Sequence, residues 1–297
     1  MKPNEEFKNL GLEFFANIKL LNQRLGYSLR RTKKKPEGGF LIPNVKQVKK
    51  VFKEEGLNHD KLISGNQFTD YGQKLVDYMI YREKILIEHV EPHLMNKDEA
   101  KKLFYKMKEE YRPNCPLPMN KQKREKKDYS FLTGLVNMII EKNIGNDPCN
   151  YDPKELTAIT DNDYPIRTLS RRVDGAYPKV INPIAIWEIK EYYYTTTFGS
   201  RIADGVYETQ LDGWELREAE SSLKRKVLHY LIIDDHNTWW GMGKSYLCRI
   251  IDSLHMGLVT EVLFGSEIVE RLPVLVSEWK KYPEQKDLFS VAAEPKE

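Results

Sequence analysis

Residues 173–190 read VDGAYPKVINPIAIWEIK, and the order of turn, apolar run and charge in this stretch decides the fold. Asn182-Pro183 is a turn signal, and Ile184 to Trp187 is apolar enough to lie inside a sheet. Two strand-like runs are therefore expected, TLSRRVDGAYP (168–178) and IAIWEIKEYYYTT (184–196), folded back on each other at that turn. On a strand, residues two apart share a face, so Glu188 and Lys190 project side by side, and the turn brings Asp174 close to them. Two converging carboxylates are hard oxygen donors of the kind that hold Mg2+. A lysine beside them can orient or help deprotonate an attacking water, while the ion acidifies that water and neutralises phosphate charge. The bland alternative is a surface ion pair between Glu188 and Lys190 at a sheet edge, which is common and contributes little. An E-x-K placed in a core strand, however, calls for a reason, because unpaired buried charge is costly.

Outward from this stretch, helices and strands alternate. SFLTGLVNMIIEKNIG (130–145) is an apolar helix with Ser130 as its N-cap and Gly145 past its end. A helical pattern runs from Arg201 to about Glu220, followed by a buried-type strand, VLHYLIID (227–234). The helix KSYLCRIIDSLHM (244–256), the short run LVTEVLF (258–264) and the helix SEIVERLPVLVSEWKKY (266–282) complete the pattern. Such alternation predicts an α/β core with a mixed sheet. The first half reads as helical, with apolar residues at helical spacing over 4–25, 70–90 and 97–112 and a short basic helix over 45–56. Residues 112–128, RPNCPLPMNKQKREKKD, read as a hinge or an exposed basic loop. The expected division is a helical, basic region over 1–128 and a core over 129–297.

Asp174, thirteen residues and then Glu188-Ile189-Lys190 resembles the signature of the PD-(D/E)XK nuclease superfamily, type II restriction endonucleases in particular. The resemblance covers roughly residues 130–270 in its order of elements: helix, strand with Asp, strand with E-x-K, helix, strand, helix. The proline that often precedes the aspartate is Val173 here. The resemblance implies a restriction-endonuclease-like fold and metal-dependent hydrolysis of double-stranded DNA, leaving a 5′-phosphate. Asp174 and Glu188 would be Mg2+ ligands together with the backbone carbonyl of Ile189, and Lys190 would position or activate the water. The family often adds an acidic residue from the helix before the first strand, a position that Glu141 matches. It also draws a polar residue from the helix after the E-x-K strand, for which Gln210 is the candidate. Cutting both strands with one site per chain implies a homodimer or a pair with a related subunit. The alternatives are a repair or phage-type nuclease that recognises structure, and a non-catalytic DNA-binding protein of the same fold.

Other motifs have simpler readings. GMGKS (241–245) lacks the first glycine of a phosphate-binding loop, since position 238 is threonine, so it reads as a helix start and no nucleotide cofactor is expected. Asp234, Asp235 and His236 read as a solvent-exposed loop at a strand end. His89 and His93 flank Pro92 and read as a helix end rather than a zinc site. Tyr192, Tyr194 and Arg201, around the polar TTTFGSR (195–201), are candidate DNA contacts, as are Lys33, Lys34, Lys123 and Arg124 in two basic tracts. Tyrosine-rich strand packing accounts for the aromatic run equally well.

Charge is unevenly spread: residues 1–130 hold 28 Lys+Arg against 18 Asp+Glu, and residues 131–297 hold 19 against 26. A basic half suits a polyanion and an acidic half concentrates carboxylates, although solvated lysine-rich helices would give the same count. Cys115, Cys149 and Cys248 form no C-x-x-C pair, which speaks against a disulfide scaffold and a thiolate zinc site. No apolar run approaches the roughly 18 residues of a membrane span, and MKPNEEFKNLGLEFF does not read as a secretory signal. A cytoplasmic protein with no membrane partner is the expectation.

Overall fold

Ala185–Glu191 forms the central strand of a five-stranded sheet, and its first five residues are buried. The computed structural model describes residues 1–29, 38–122, 125–194, 199–223 and 225–282. The sheet strands are β1 (Asn150–Tyr151), β2 (Gly175–Tyr177), β3 (Ala185–Glu191), β4 (Leu228–Asp234) and β5 (Glu261–Phe264), in the spatial order β5-β4-β3-β2-β1. β2 runs antiparallel to both of its neighbours, β1 and β3, whereas β3, β4 and β5 run parallel, so the chain has a mixed α/β architecture. In register, Gly175 faces Trp187, Trp187 faces Tyr230 and Glu188 faces Leu231.

The main helices are α1 (Gly11–Leu25), α2 (Val45–Glu54), α3 (Asp70–Ile85), α4 (Lys97–Tyr111), α5 (Phe131–Ile144), α6 (Ser200–Leu223), α7 (Lys244–His255) and α8 (Ile268–Lys281). Strand periodicity sorts the sheet's side chains between two helical layers. Trp187, Ile189, Tyr230 and Ile232 pack with residues of α4, α5 and α8. Ile186 packs with Leu216 and Ala219 of α6, while Leu231 and Ile233 pack with α7. Glu188 and Lys190 share the parity of Ile186, so they project beneath α6.

The N-terminal helices form their own apolar cluster, which closes on Met256 and Leu258 just past α7. α4 lies before the expected division at residue 128, yet Ala100, Phe104 and Met107 pack in the same core as α5 and the sheet. Local chemistry accounts for several ends. Asn44 with Gln47 and Asn96 with Glu99 make capping boxes at α2 and α4.

Four expectations are corrected. The first helix begins at Gly11 and not at Asn4, because Asn9 and Gly11 take positive φ (55° and 87°) and break the helical path. Ser130 makes no side-chain cap on α5; instead the Glu191 carboxylate, at the end of β3, accepts from the Leu132 N–H at 2.7 Å. Residues 168–174 do not extend β2, since Ser170 is drawn to α6, its N–H and hydroxyl both donating to Glu215 at 3.0 and 2.6 Å. The supposed basic loop contains a hairpin, Met119–Gln122 against Glu125–Tyr129.

Candidate active site

The sequence-predicted residues Asp174, Glu188 and Lys190 meet where β2 begins and β3 passes under α6. The Asp174 N–H donates to the Trp187 carbonyl at 3.1 Å, and its Oδ2 accepts from the Ile189 N–H at 2.7 Å. These two bonds fix the aspartate across from Glu188. On an extended strand the N–H and C=O of one residue point the same way, so the Ile189 carbonyl also faces the Asp174 side.

Glu188 is 2% exposed and is surrounded by cations. Arg171 forks onto it, Nη1 to Oε2 at 3.0 Å and Nη2 to Oε1 at 2.6 Å. Lys190 Nζ reaches the same Oε1 at 2.6 Å and Glu208 Oε2 at 2.8 Å. Arg171 Nη1 also donates to Asp212 Oδ2 at 2.6 Å. Three carboxylates, Glu188, Glu208 and Asp212, therefore share two cations.

The electrostatics follow from this packing. Burial pushes the Glu188 carboxyl upward, but the Arg171 fork and Lys190 outweigh it and hold the group below its ordinary value. Burial pulls Lys190 down, and Glu188 with Glu208 more than reverses that, so the amine is held as an ammonium. An ammonium donates hydrogen bonds and is disposed to orient a water, not to take its proton. Asp174 is pushed up to about 7 by burial and then by the charge of Glu188. Asp212 is pushed up to about 7 by burial, against the pull of Arg171, and its second oxygen, Oδ1, is buried with no hydrogen-bond partner.

Arg171, Glu208 and Asp212 were not among the residues expected from the sequence. A signal existed for the helical pair: Glu208 and Asp212 are four residues apart, so on α6 they share a face. Gly205 precedes them on that face and lets Lys190 lie close, since a Cβ at 205 would stand 3.2 Å from Lys190 Cδ and Cε.

The remaining candidates lie elsewhere, except Tyr192, whose hydroxyl borders Gly205 beside Lys190. Gln210 points away from the site and donates to Ser253 Oγ on α7 at 2.9 Å. Glu141 is near the far end of α5, its carboxylate accepting from the Asn114 N–H at 3.0 and 3.1 Å. Since α5 presents its N-terminus to Glu191, Glu141 stands roughly nine residues, or about 13 Å, down the helix. The Tyr192 hydroxyl donates to the Arg201 carbonyl at 3.1 Å, while the Arg201 side chain is exposed. Lys97 Nζ lies 4.2 Å from the centre of the Tyr194 ring. Lys33, Lys34, Lys123 and Arg124 lie outside the described residues.

Asp234 and Asp235 are buried, contrary to the exposed loop expected of them. Asp234 accepts from the Met95 and Asp235 N–H groups, both at 2.8 Å, and from the Tyr193 hydroxyl, which makes this strand end a packed polar joint. α7 starts at Lys244 directly after Gly243, and Lys244 Nζ sits 4.0 Å from the centre of the Trp240 ring. A cleft of about 700 Å3 opens at the opposite end of the sheet, lined by Leu228, His229, Thr260 and Glu261, and touches none of the acidic cluster.

As a donor set for Mg2+, the oxygens of Asp174, Glu188 and the Ile189 carbonyl have the right chemistry. Among the described residues no three acidic, histidine or cysteine side chains converge closely enough to hold a metal ion as they stand. The Arg171 guanidinium lies between Glu188 and Asp212, so an ion entering there has to displace it. No helix among the described residues is long and apolar enough to cross a membrane.

No curated protein and no solved structure matches the chain. Residues 1–89 match a family described as a domain of unknown function (DUF7690). Residues 95–279 match a second family, also described as a domain of unknown function (DUF7687), and this match takes in α4 through most of α8 and the whole acidic cluster. Because that match spans more than half of its length, the chain belongs to the DUF7687 family.

Proposed function

We propose that this protein is a Mg2+-dependent nuclease that hydrolyses phosphodiester bonds of double-stranded DNA, with Asp174, Glu188 and Lys190 at its centre. The observation that carries the reading is the pinning of Asp174 opposite Glu188 by the Ile189 amide, with Lys190 two residues along the same face. The order helix, three antiparallel strands, helix, parallel strand supports the restriction-endonuclease-like reading of the core.

Asp174 and Glu188 would hold the ion, with the Ile189 carbonyl beside them. When bound, the ion acidifies a water and neutralises charge on the scissile phosphate. Lys190, held as an ammonium, donates to the attacking water or to a phosphate oxygen and fixes its approach. Burial at the bottom of the cluster keeps these groups out of bulk water, which would otherwise weaken their fields. Arg201, exposed at the start of α6, is placed for a backbone phosphate. A type II enzyme cutting at a defined sequence as a homodimer is the form this reading favours.

A second reading has one observation behind it. Both oxygens of Glu188 are engaged by cations, which suits a DNA-binding protein whose ancestral site has become a structural ion network. A structure-specific repair nuclease is the third form.

The test is incubation of purified protein with unmodified plasmid and phage DNAs, in Mg2+ or EDTA, beside Lys190→Ala. Discrete fragments that need Mg2+ and fall by at least about 100-fold in the variant are expected. Mg2+-dependent cutting only at branches or lesions would shift the reading to a structure-specific enzyme. Intact DNA in every lane, with binding retained, would move it to the non-catalytic protein.

A further inference from the structure

The least explained feature of the site is Arg171. It comes from the loop before β2, enters beneath α6 and is the only group that touches Glu188, Asp212 and Glu208 together among the described residues, at 2.6, 2.6 and 3.5 Å. Its side chain keeps 21% of its exposure, so it has an open side towards solvent. Asp212 is fully buried and spends only one oxygen on Arg171, leaving Oδ1 without a partner. An orphaned carboxylate oxygen in a closed space is costly unless something else sometimes occupies that space. Arg171 is planar and carries one delocalised charge, so it can neutralise one carboxylate fully and only one oxygen of the next. A small divalent ion would meet both.

We propose that Arg171 and a divalent cation are alternative occupants of the space between Glu188 and Asp212, with Asp212 as an additional ligand to the ion. This rests on the metal-binding reading above and adds a device to it. The guanidinium holds the acidic cluster together before the ion arrives, and the ion enters only as the guanidinium swings out through its open side. Arg171 thereby lowers the affinity for metal by the fraction of time it occupies the site. Once released, it is an unpaired guanidinium at the mouth of the cluster, with the fork geometry that suits a phosphate. Metal entry and phosphate capture become linked through one side chain.

The experiment is equilibrium binding of Mn2+, followed by the loss of the free-ion paramagnetic resonance signal, to the full chain and to Arg171→Met, Glu188→Gln, Arg171→Met/Glu188→Gln and Arg171→Met/Asp212→Asn. Methionine keeps much of the packing volume of the arginine stem without its charge. The expected result is binding about tenfold or more tighter in Arg171→Met than in the wild type. That gain should be lost in both double variants. Arg171→Lys serves where the methionine variant does not fold: a single ammonium cannot fork onto both carboxylates, so its Mn2+ affinity should also exceed that of the wild type. Wild-type binding that depends on Glu188, with Arg171 variants binding equally or more weakly, would overturn the exchange and leave the metal reading standing. Full retention of the gain in Arg171→Met/Asp212→Asn would remove Asp212 as a ligand. No Mn2+ binding by any variant would bring down the metal reading itself, and the exchange with it.

Discussion

Gly175 lies flat against the indole of Trp187: a Cβ at 175 would stand 2.1 Å from Cε2 and Cζ2 of that ring. The two residues are partners in the β2–β3 register, and Trp187 is held from its other side by Trp279, stacked at 5.6 Å and 9°. The indole therefore has little room to retreat. Asp174 is the next residue along, tied to the Trp187 carbonyl. The glycine keeps β2 close enough for the aspartate to stand against Glu188.

Gly175→Ala should thus act on both stability and the site. Overpacking of this kind costs about 1–3 kcal/mol. The expected outcome is a fall of several degrees in melting temperature together with weaker Mg2+ dependence of any DNA cleavage. Gly175→Ala/Trp187→Phe should recover part of the lost stability, because the smaller ring frees the space. Wild-type melting in the single variant would show that the strand and ring adjust without cost.

Glu188 offers a second contrast. Removing a carboxylate from an acidic cluster usually relieves repulsion and stabilises, but here two cations depend on this one. Glu188→Gln leaves Arg171 and Lys190 with a neutral partner in a largely buried site. The expected loss is about 3 kcal/mol, at the low end for a broken buried pair because the cations are partly exposed. Lys190→Met leaves Glu188 its Arg171 fork and should cost about 1–2 kcal/mol. Urea unfolding of both variants measures the order. A more stable Glu188→Gln protein would mean that the carboxylates dominate the field.

The tie between the N-terminal helices and the core is more local than its apolar cluster suggests. Arg82 of α3 and Asp252 of α7 are each 2% or less exposed, with Arg82 Nη1 at 2.7 and 3.0 Å from the two oxygens. The Tyr78 hydroxyl and Asn22 complete the network at 2.7 and 3.1 Å. Arg82→Met alone strands a buried carboxylate and should cost about 3–5 kcal/mol. Arg82→Met/Asp252→Leu should be more stable than either single variant. Amide exchange provides the spatial check: in Arg82→Met the protection lost should concentrate in α1, α3 and the C-terminal turn of α7. Uniform loss across the sheet would assign the effect to global unfolding instead.

The strand pair that brings Asp174, just ahead of β2, against Glu188 and Lys190 was legible because period-2 placement and a turn at Asn182-Pro183 are local signals. β4, α7 and α8 were legible for the same reason, each having a strong apolar pattern. What escaped reading was set by partners distant in sequence. Arg171 appeared to belong to a strand, and only the acids of α6, about forty residues on, draw its loop out of the sheet. Gln210 looked like the polar residue of α6, but helical phase turns it to α7 and brings Glu208 and Asp212 inward. Ser130 lost the cap of α5 to Glu191, a competitor sixty residues away. One miss was local after all: Asn162 and Asp163 both take positive φ, at 46° and 66°, and turn the hairpin Ala158–Asp161 to Tyr164–Thr168. Asn and Asp are the residues that tolerate that conformation.

Asp234 carries the last prediction, one of sign. It is fully buried at the end of β4, and three donors face it: the N–H groups of Met95 and Asp235 on Oδ1 and the Tyr193 hydroxyl on Oδ2. Burial outweighs them and pushes its carboxyl up to about 8. An unfolded aspartate titrates at about 3.9, so between about pH 4 and 8 the folded chain holds a proton that the unfolded chain has released. Folding stability from this group is therefore full below pH 4 and declines as pH rises through the window, by up to about 1.4 kcal/mol per unit. Asp174, Asp212 and Glu191, each pushed up to about 7, add declines of the same sign that end nearer neutrality. Asp234→Asn fits the same donors, its carbonyl accepting both N–H groups and its amide donating to the tyrosine oxygen. The variant should lose less stability than the wild type between pH 5 and 8, and the difference should persist from pH 7 to 8, where the other acids contribute little. Parallel curves from urea unfolding at each pH would mean that Asp234 is ionised in the folded chain and that its three donors outweigh burial.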